Sequence, residues 1–408
     1  MLKLAGGTAG SQVIAVAAAP ILTRLYGPES FGILATFASI LALLNVVSSL
    51  RYELAIAVPD DDEEAIALVW LCFLMVAIST GLTALGVGLL GNNLVSWLHQ
   101  PSLKPLLWLL PVGVFLTGIY QPLMYWGIRT KQFGLLARAK FSQNILGVAT
   151  NLVAAPLGTI GLLLGQIVMQ SAGLVTILQK SITIFPRGPN LFFAGYLKTL
   201  KRYSHFAIYS SPAGLVNMAG NQLPYLIFAS AFGPEDLGQL AIAQRLLLLP
   251  AGLIGDSVSQ VFLGKASECI RFGTLNRLVK TTGIKLLGCG VIISLVMSIV
   301  VAPLATYILG NQWEAVKRII PLLTPLLIGQ LTVSTLSMAF IAAENNGLEL
   351  FAQVGQASLR LGILAGVIMA GQGFEYSVLV FSGGSLLGYL FYGGVLLASI
   401  RHYPPEQL

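Results

Sequence analysis

The sequence predicts an all-α integral membrane protein with twelve transmembrane helices, arranged as two six-helix bundles related by a parallel internal repeat. Three observations predict this fold class: the composition, the number of long apolar segments, and an octapeptide that occurs twice. Hydrophobic residues make up 56% of the 408-residue chain and charged residues only 10%, and the mean hydropathy is +0.82. A soluble domain would carry about 25% charged residues. The composition therefore excludes an ordinary soluble protein.

The repeated octapeptide indicates an internal duplication. Residues 27–34 (GPESFGIL) return as residues 233–240 (GPEDLGQL), an offset of 206 residues that is close to half of the chain. Proline suits the first turn of a helix, and a glutamate just after it favours the positive end of the helix dipole. Each copy therefore predicts a tight turn that ends one helix and starts the next.

Twelve segments are long and apolar enough to span a bilayer, which takes about 20 residues each. They are residues 4–23, 31–50, 65–89, 106–128, 141–157, 160–178, 206–229, 237–257, 283–307, 319–342, 350–370 and 377–400. The first resembles a signal peptide, but its counterpart before the second octapeptide predicts that it is retained. Six helices in each half give both halves the same orientation. The predicted domains are residues 1–178, a cytoplasmic linker at 179–205 with a basic amphipathic helix, residues 206–400, and a cytoplasmic tail at 401–408.

The distribution of Lys and Arg predicts that both termini are cytoplasmic. With that orientation, seventeen of the 23 Lys and Arg residues lie in inner segments and four in outer ones. We expect Tyr125 and Trp126 to anchor the inner interface.

Several classes of site are not expected. The three cysteines and three histidines are scattered, so that no metal or other cofactor is predicted. No basic segment alternates with exposed aromatic residues, which argues against binding of nucleic acid. The acidic run at residues 60–64 admits a cation site, but capping and dipole complementarity at the start of the third helix explain it more simply.

Polar side chains recur on one face of several predicted spans. The seventh carries such a stripe, which consists of Ser210, Gly214, Asn217, Asn221 and Pro224. Shorter sets of polar residues lie on the fifth, sixth and eleventh spans: Asn144 with Asn151, Gln166 with Gln170, and Gln353, Gln356 and Arg360. Such residues either pack helices together or line an aqueous cavity. We favour the cavity, because Asn217 and Asn221 lie one turn apart.

Arg245 and Arg360 lie near the middle of the eighth and eleventh spans. Burial of an arginine there costs at least about 2.5–3.5 kcal/mol, so that each must face protein or water. We expect them to await an anionic ligand, with a structural tie to backbone carbonyls as the alternative. Arg24 and Arg51 lie at helix ends, where snorkelling and the positive-inside bias also explain an arginine.

Four segments resemble parts of bacterial polysaccharide-repeat flippases. Residues 20–32 (PILTRLYGPESFG) and 51–59 (RYELAIAVP) are similar to the opening of these O-antigen and exopolysaccharide (Wzx-type) translocases. Residues 243–250 (AQRLLLLP) and 258–262 (VSQVF) are similar to their eighth-helix region. The superfamily also contains the multidrug and toxin extruders (MATE). The three residues before Leu4 are fewer than is usual in the family, which leaves open whether the natural start lies upstream.

The resemblance implies a MATE-like fold with a central cavity that opens alternately to either side. It also implies an undecaprenyl-pyrophosphate-linked oligosaccharide as cargo. In related flippases, arginines of the first, second and eighth helices line the cavity, and Arg24, Arg51 and Arg245 occupy those places here.

The function hypothesis is transport of this lipid-linked oligosaccharide from the inner to the outer leaflet of the cytoplasmic membrane, without an enzymatic step. The residues expected to hold the pyrophosphate are Arg24, Arg51, Arg245 and Arg360. Those expected to bind sugar are Asn217, Asn221, Gln353, Gln356 and Asn144. Asp256 and Glu53 are candidate coupling residues, although carboxylates near inner helix ends are more often interfacial. We expect a monomer among membrane lipids, with a polysaccharide polymerase and a chain-length regulator as candidate partners.

Two alternatives stay open. A drug or cation antiporter of the same fold needs carboxylates in its cavity. A membrane glycan ligase or polymerase needs a general base or nucleophile at the outer surface, usually on a sizeable loop, and the predicted outer loops are short.

Overall fold

The computed structural model describes residues 18–181, 199–343 and 345–400. In these ranges every regular element is a helix. Helices satisfy every backbone hydrogen bond within one segment, which the hydrocarbon core of a membrane requires. Among the described residues, eight helices are long and apolar enough to cross a membrane, or nine if one bent pair, Asn311–Leu322 and Thr324–Phe340, is a single span. The chain is therefore a multi-pass membrane protein.

Residues 18–25 of the first half are helical, and six further α-helices follow among its described residues. They are α1 (Pro28–Ser48), α2 (Asp62–Leu98), α3 (Leu109–Arg129), α4 (Phe133–Val153), α5 (Thr159–Ser171) and α6 (Gly173–Ser181). A 3-10 helix, Tyr52–Ala57, joins α1 to α2. α2 packs on α3, α4 on α5, and α1 on both α3 and α5.

The second half begins with a helix that is interrupted once. Its helices are α7 (Ser211–Arg271), α8 (Leu275–Val296), α9 (Ala302–Leu309), α10 (Glu314–Leu322), α11 (Thr324–Leu336), α12 (Met338–Ala342), α13 (Asn346–Met369) and α14 (Phe374–Ile400). α13 packs on α14, and α11 packs on both α8 and α14.

The predicted spans match these helices with shifts at their ends. The seventh and eighth predicted spans both lie in α7, separated by the break at Gly233. The fifth, expected at 141–157, is α4 and begins eight residues earlier. Most of the first, at 4–23, lies outside the described residues, as do the tail and most of the predicted linker. The count of twelve stays a prediction.

Both octapeptides form the predicted turn. Pro28 occupies the first position of α1 with Glu29 in the first turn. In the second copy, Gly233 has φ 82° and ψ −178°, which breaks α7 before Pro234. Glycine adopts a positive φ without the steric penalty that other residues incur. The glycine in the sequence therefore indicates where the helix breaks.

The two octapeptides also contact each other closely. A Cβ added to Gly32 meets the carbonyl oxygen of Pro234, and a Cβ added to Gly238 meets the carbonyl oxygen of Pro28. The two contacts are reciprocal, because each glycine is the sixth residue of its copy and each proline is the second. The repeat therefore supplies the bare backbone that this crossing requires.

The chain divides into two compact units. The first comprises Met1–Met218 together with Gly233–Gly238, and the second comprises Ala219–Phe232 and Gln239–Leu408. The first six residues of the second octapeptide thus belong to the first unit, in which they contact the first copy.

Protein contacts account for the acidic run before α2. Asp61 is the N-cap of α2 and accepts from the backbone N–H of Glu63. Arg129 pairs with Asp62 at 2.9 Å and also donates to the carbonyls of Ile56, Pro59 and Asp60. The capping interpretation is confirmed.

The described end of the predicted linker packs against the first unit. Arg202 pairs with Glu64 at 2.7 Å, and Tyr52 donates to the carbonyl of Leu200 at 3.1 Å. Burial raises the pKa of Tyr52. Tyr52 and Trp126 belong to one buried apolar cluster, in which Trp126 is only 5% exposed. The prediction that Trp126 anchors the lipid interface is therefore wrong.

Candidate functional site

Arg51 lies in the short connection between α1 and the 3-10 helix of the first unit. α1 ends at Ser48, and the 3-10 helix begins directly after Arg51. Leu50 and Arg51 both have a left-handed backbone, with φ of 50° and 62°. Such a conformation costs about 1–3 kcal/mol for each residue other than glycine and persists only where the surroundings impose it. Strain of this kind concentrates at functional sites.

A cavity of about 380 Å³ lies within the first unit, with Arg51 in its wall. This volume falls in the range of small-molecule sites, about 300–1,000 Å³. The wall comes from α1, the 3-10 helix, α3, α4, α5 and the start of α7, and consists of Ala42, Asn45, Val46, Arg51, Glu53, Thr117, Tyr120, Gln121, Tyr125, Gln143, Met169, Gln170 and Met218. Most of its polar groups are neutral amides and hydroxyls.

Hydrogen bonds fix part of this wall. The Thr117 hydroxyl donates to Asn45 Oδ1 at 2.6 Å, which ties α3 to α1. Gln143 Nε2 donates to the backbone carbonyl of Gln170 at 2.9 Å, which ties α4 to α5. The amides that remain are therefore presented from a rigid frame.

Three buried polar atoms of the wall have no hydrogen-bond partner among the described residues. They are Arg51 Nε, a donor, Gln170 Oε1, an acceptor, and the Tyr120 hydroxyl, which can do either. An unsatisfied buried group costs about 1–3 kcal/mol, and more for a charged one. A ligand that accepts from Arg51 and donates to Gln170 relieves two of these three costs.

Glu53 is the one carboxylate in the wall of this cavity and is only 6% exposed. The hydroxyl of Ser49 donates to its Oε2. In the described part of the chain, the ion pairs within 4.0 Å do not include one between Glu53 and Arg51. Arg51 therefore has no direct carboxylate partner among the described residues and can engage an anion.

Gly214, near the start of α7, allows the Arg51 guanidinium to take its position. A Cβ at Gly214 lies 2.5 Å from Arg51 Nη2 and 2.9 Å from Nε. Any side chain there must push the guanidinium aside. The predicted polar stripe on this helix thus contributes a bare backbone position rather than a polar group at 214.

Arg360 lies in the second unit and is only 7% exposed. Its guanidinium carbon lies 4.7 Å from the ring centre of Phe381, and Nη1 lies 3.5 Å from Asn221 Oδ1, at the limit of a hydrogen bond. Its Nε has no partner among the described residues. An aromatic face stabilises a desolvated cation by about 2 kcal/mol, which is less than full compensation for a buried charge.

The second unit brings together part of the predicted sugar-binding set. Gln356 packs under Gly388 of α14, and Gln353 donates to Glu349 Oε1 at 3.1 Å. Asn221 is the amide next to Arg360. Gln353 is therefore already engaged by its own helix.

The other predicted residues do not line the cavity of the first unit. Arg24, Arg245, Asn217 and Asp256 are exposed side chains. Asn144 donates to the carbonyl of Lys140 in its own helix, at 3.2 Å.

Sequence reasoning missed most of the cavity wall. Gln143, rather than its neighbour Asn144, faces the cavity. Thr117, Tyr120 and Gln121 lie on one face of α3 at helical spacing, a signal that could have located them. Tyr125 was expected at the lipid interface and lines the cavity instead.

A family profile of polysaccharide biosynthesis proteins matches residues 21–318. The match covers well over half of the chain. The chain belongs to the polysaccharide biosynthesis protein family. The predicted family resemblance is thereby confirmed, although the family alone does not define the cargo. Comparison with curated protein sequences gave no significant match.

Solved structures place this polysaccharide biosynthesis protein in a known fold. It is similar to the lipid II flippase MurJ in an inward closed conformation, with a TM-score of 0.73 and 16% identity over 99% of this chain and 88% of that one. It is also similar to an inward-facing MATE family transporter of the MOP superfamily, at 0.66 and 14% identity over 96% and 95%. A MOP superfamily transporter from Pyrococcus furiosus gives 0.59 and 14% identity over 98% and 96%. The predicted all-α, MATE-like membrane fold is confirmed.

Proposed function

We propose that this protein flips a polyprenyl-pyrophosphate-linked oligosaccharide from the cytoplasmic to the outer leaflet of the cytoplasmic membrane. One observation carries the proposal: Arg51, with a buried and unpartnered Nε, lines a cavity whose other polar groups are mainly neutral amides and hydroxyls. A phosphate next to a sugar matches a guanidinium next to neutral hydrogen-bonding groups, because planar Arg binds phosphate oxygens bidentately.

Arg360 supports the same chemistry in the second unit. It is a buried cation whose described contacts are an aromatic ring and an amide, with no carboxylate. Arg24 and Arg245 complete the proposed set of pyrophosphate ligands. Asn217, Asn221, Gln353, Gln356 and Asn144 remain proposed sugar contacts. The lipid tail stays in the bilayer while the two halves of the duplication rock by alternating access.

Transport of an organic cation is the rival function, and Glu53 is the observation that favours it. A buried carboxylate in a transporter cavity is a natural cation or proton site. It shares the wall with Arg51, however, and an unpaired guanidinium repels a cationic ligand. The anionic cargo therefore fits the cavity better. Asp256 is the second candidate coupling residue.

The proposal is tested in cells that lack their own copy of this gene. Complementation with the Arg51→Ala and Arg360→Ala double variant should leave lipid-linked saccharide inside and remove surface glycan, while the protein still inserts in the membrane. Arg318→Ala is the matched control, because Arg318 is 64% exposed and pairs with Glu375; it should complement fully. Normal surface glycan in the double variant, or efflux of a cationic dye that depends on Glu53, would contradict the proposal.

The placement within a pathway follows from the same proposal. A flippase for repeat units hands its cargo to an enzyme that extends the glycan in the outer leaflet. We propose that a polysaccharide polymerase and a chain-length regulator act next, and that this protein works as a monomer in the lipid bilayer.

A further inference from the structure

The cavity in the first unit carries one cation and one carboxylate that are two residues apart in sequence. Arg51 and Glu53 lie at the start of the same 3-10 turn, and both line the cavity. An occupant must therefore present a negative group to one part of the wall and avoid presenting one to the other.

Glu53 has unused capacity to accept hydrogen bonds. A carboxylate offers about four lone-pair sites, and the hydrogen bond that the described residues give it comes from Ser49 to Oε2. At 6% exposure it has little access to solvent. Its Oε1 is therefore available to a ligand that donates.

Gln170 adds a second unused acceptor to the same wall. Its Oε1 is buried without a partner among the described residues, while its backbone carbonyl is already occupied by Gln143. Two acceptors, Glu53 and Gln170, thus accompany the unsatisfied donor Arg51 Nε, and the Tyr120 hydroxyl can donate or accept beside them.

This donor and acceptor pattern selects among ligand classes. Inorganic phosphate satisfies Arg51 but faces repulsion from Glu53. An uncharged sugar offers hydroxyl donors but leaves Arg51 without an anion. A sugar joined to phosphate supplies both, because vicinal hydroxyls donate to a carboxylate while the non-bridging phosphate oxygens accept from the guanidinium.

We propose that this cavity is the subsite for the sugar attached directly to the pyrophosphate, and that it selects an uncharged, hydroxyl-bearing ring at that position. Arg51 binds the adjoining phosphate, and Glu53 and Gln170 accept from the ring hydroxyls. A cavity of about 380 Å³ holds the first part of the saccharide rather than the whole repeat. Glu53 is then a specificity residue, which replaces the coupling role as its principal assignment. The inference rests on the proposed flippase function.

The selection operates through charge. An acidic sugar at this position places its carboxylate against Glu53 in a poorly solvated wall, where like charges repel strongly. We expect the flipping rate of a glucuronate-bearing lipid to be at least about tenfold below that of a glucose-bearing lipid, the equivalent of one lost charge-assisted hydrogen bond.

The test uses purified full-length protein in liposomes and three substrates: polyprenyl pyrophosphate carrying one glucose, one glucuronic acid, or no sugar. The wild-type protein should flip the glucose form fastest. Glu53→Gln should slow the glucose form and speed the glucuronate form, so that their ratio falls to within about threefold. Glu375→Gln, which removes an exposed carboxylate of the second unit, should leave the ratio unchanged.

The possible outcomes separate the two proposals. Equal wild-type rates for the glucose and glucuronate forms would overturn the subsite while the flippase function stands. Because this comparison uses only the wild-type protein, it does not depend on whether a variant folds. An unchanged ratio in folded Glu53→Gln protein would overturn the role of Glu53. Failure of the wild-type protein to flip any of the three lipids would instead overturn the proposed function.

Discussion

Replacing Gly214 with alanine should damage transport without damaging the fold. The added Cβ lies 2.5 Å from Arg51 Nη2, a distance that no Cβ and nitrogen tolerate. The atom that must move is the end of a flexible side chain, so that the protein accommodates the methyl group by shifting the guanidinium. Alanine in place of glycine also favours the helix by about 0.5–1 kcal/mol. We therefore expect an unchanged or slightly raised thermal midpoint.

The functional cost follows from the contact that Arg51 makes with phosphate. A displaced guanidinium loses at least one charge-assisted hydrogen bond, each worth about 1.5–3 kcal/mol. At 1.4 kcal/mol for each factor of ten, flipping of the lipid-linked substrate at low concentration should fall about 10- to 100-fold. Gly252→Ala is the matched control. Gly252 lies on the same helix as Gly214, and a Cβ added there meets no atom within 4 Å.

The refuting results are specific. If Gly214 acts through Arg51, then Gly214→Ala should have no further effect in a protein that already carries Arg51→Ala. A wild-type flipping rate in Gly214→Ala, or an equal loss in both backgrounds, would refute the reasoning.

Three further substitutions test the packing. Arg129→Ala removes a side chain that is 12% exposed and donates to three carbonyls and a carboxylate; it should lower the free energy of unfolding by about 1–3 kcal/mol, measured as the thermal midpoint in detergent. Gly238→Ala drives a Cβ onto the backbone of Pro28 and should cost about 1–3 kcal/mol in the same assay. Phe381→Leu removes the ring beneath Arg360 and should cost about 0.5–2 kcal/mol.

A common control calibrates these measurements. Arg318→Ala breaks an exposed ion pair, and such pairs contribute about 1 kcal/mol or less. A midpoint for Arg129→Ala or Gly238→Ala that equals that of Arg318→Ala would contradict the packing roles assigned to them. Full retention of stability in Phe381→Leu would mean that Arg360 does not depend on the ring.

The sequence predicted those parts of the fold that depend on local chemistry. Pro28 at the start of α1 and Gly233 at positive φ were both readable, because each residue type has a strong backbone preference. The bare backbone needed at Gly32 and Gly238 was not, because it arises from contact between segments 206 residues apart.

The cavity wall was predicted less well, and the errors have physical reasons. Helical periodicity gives the polar side of a helix but does not distinguish neighbouring residues, so that the sequence predicts Asn144 where Gln143 lines the cavity. Arg51 was recognised through a family resemblance, whereas its left-handed backbone is imposed by the surrounding packing and has no signature in its own residue type.

The most direct test of the central claim is a leaflet assay with purified protein in liposomes and a labelled polyprenyl-pyrophosphate-linked oligosaccharide. The account predicts that the wild-type protein moves the labelled saccharide across the bilayer and that Arg51→Ala reduces the rate by about 10- to 100-fold or more. Equal rates for the wild-type protein, Arg51→Ala and empty liposomes would contradict it.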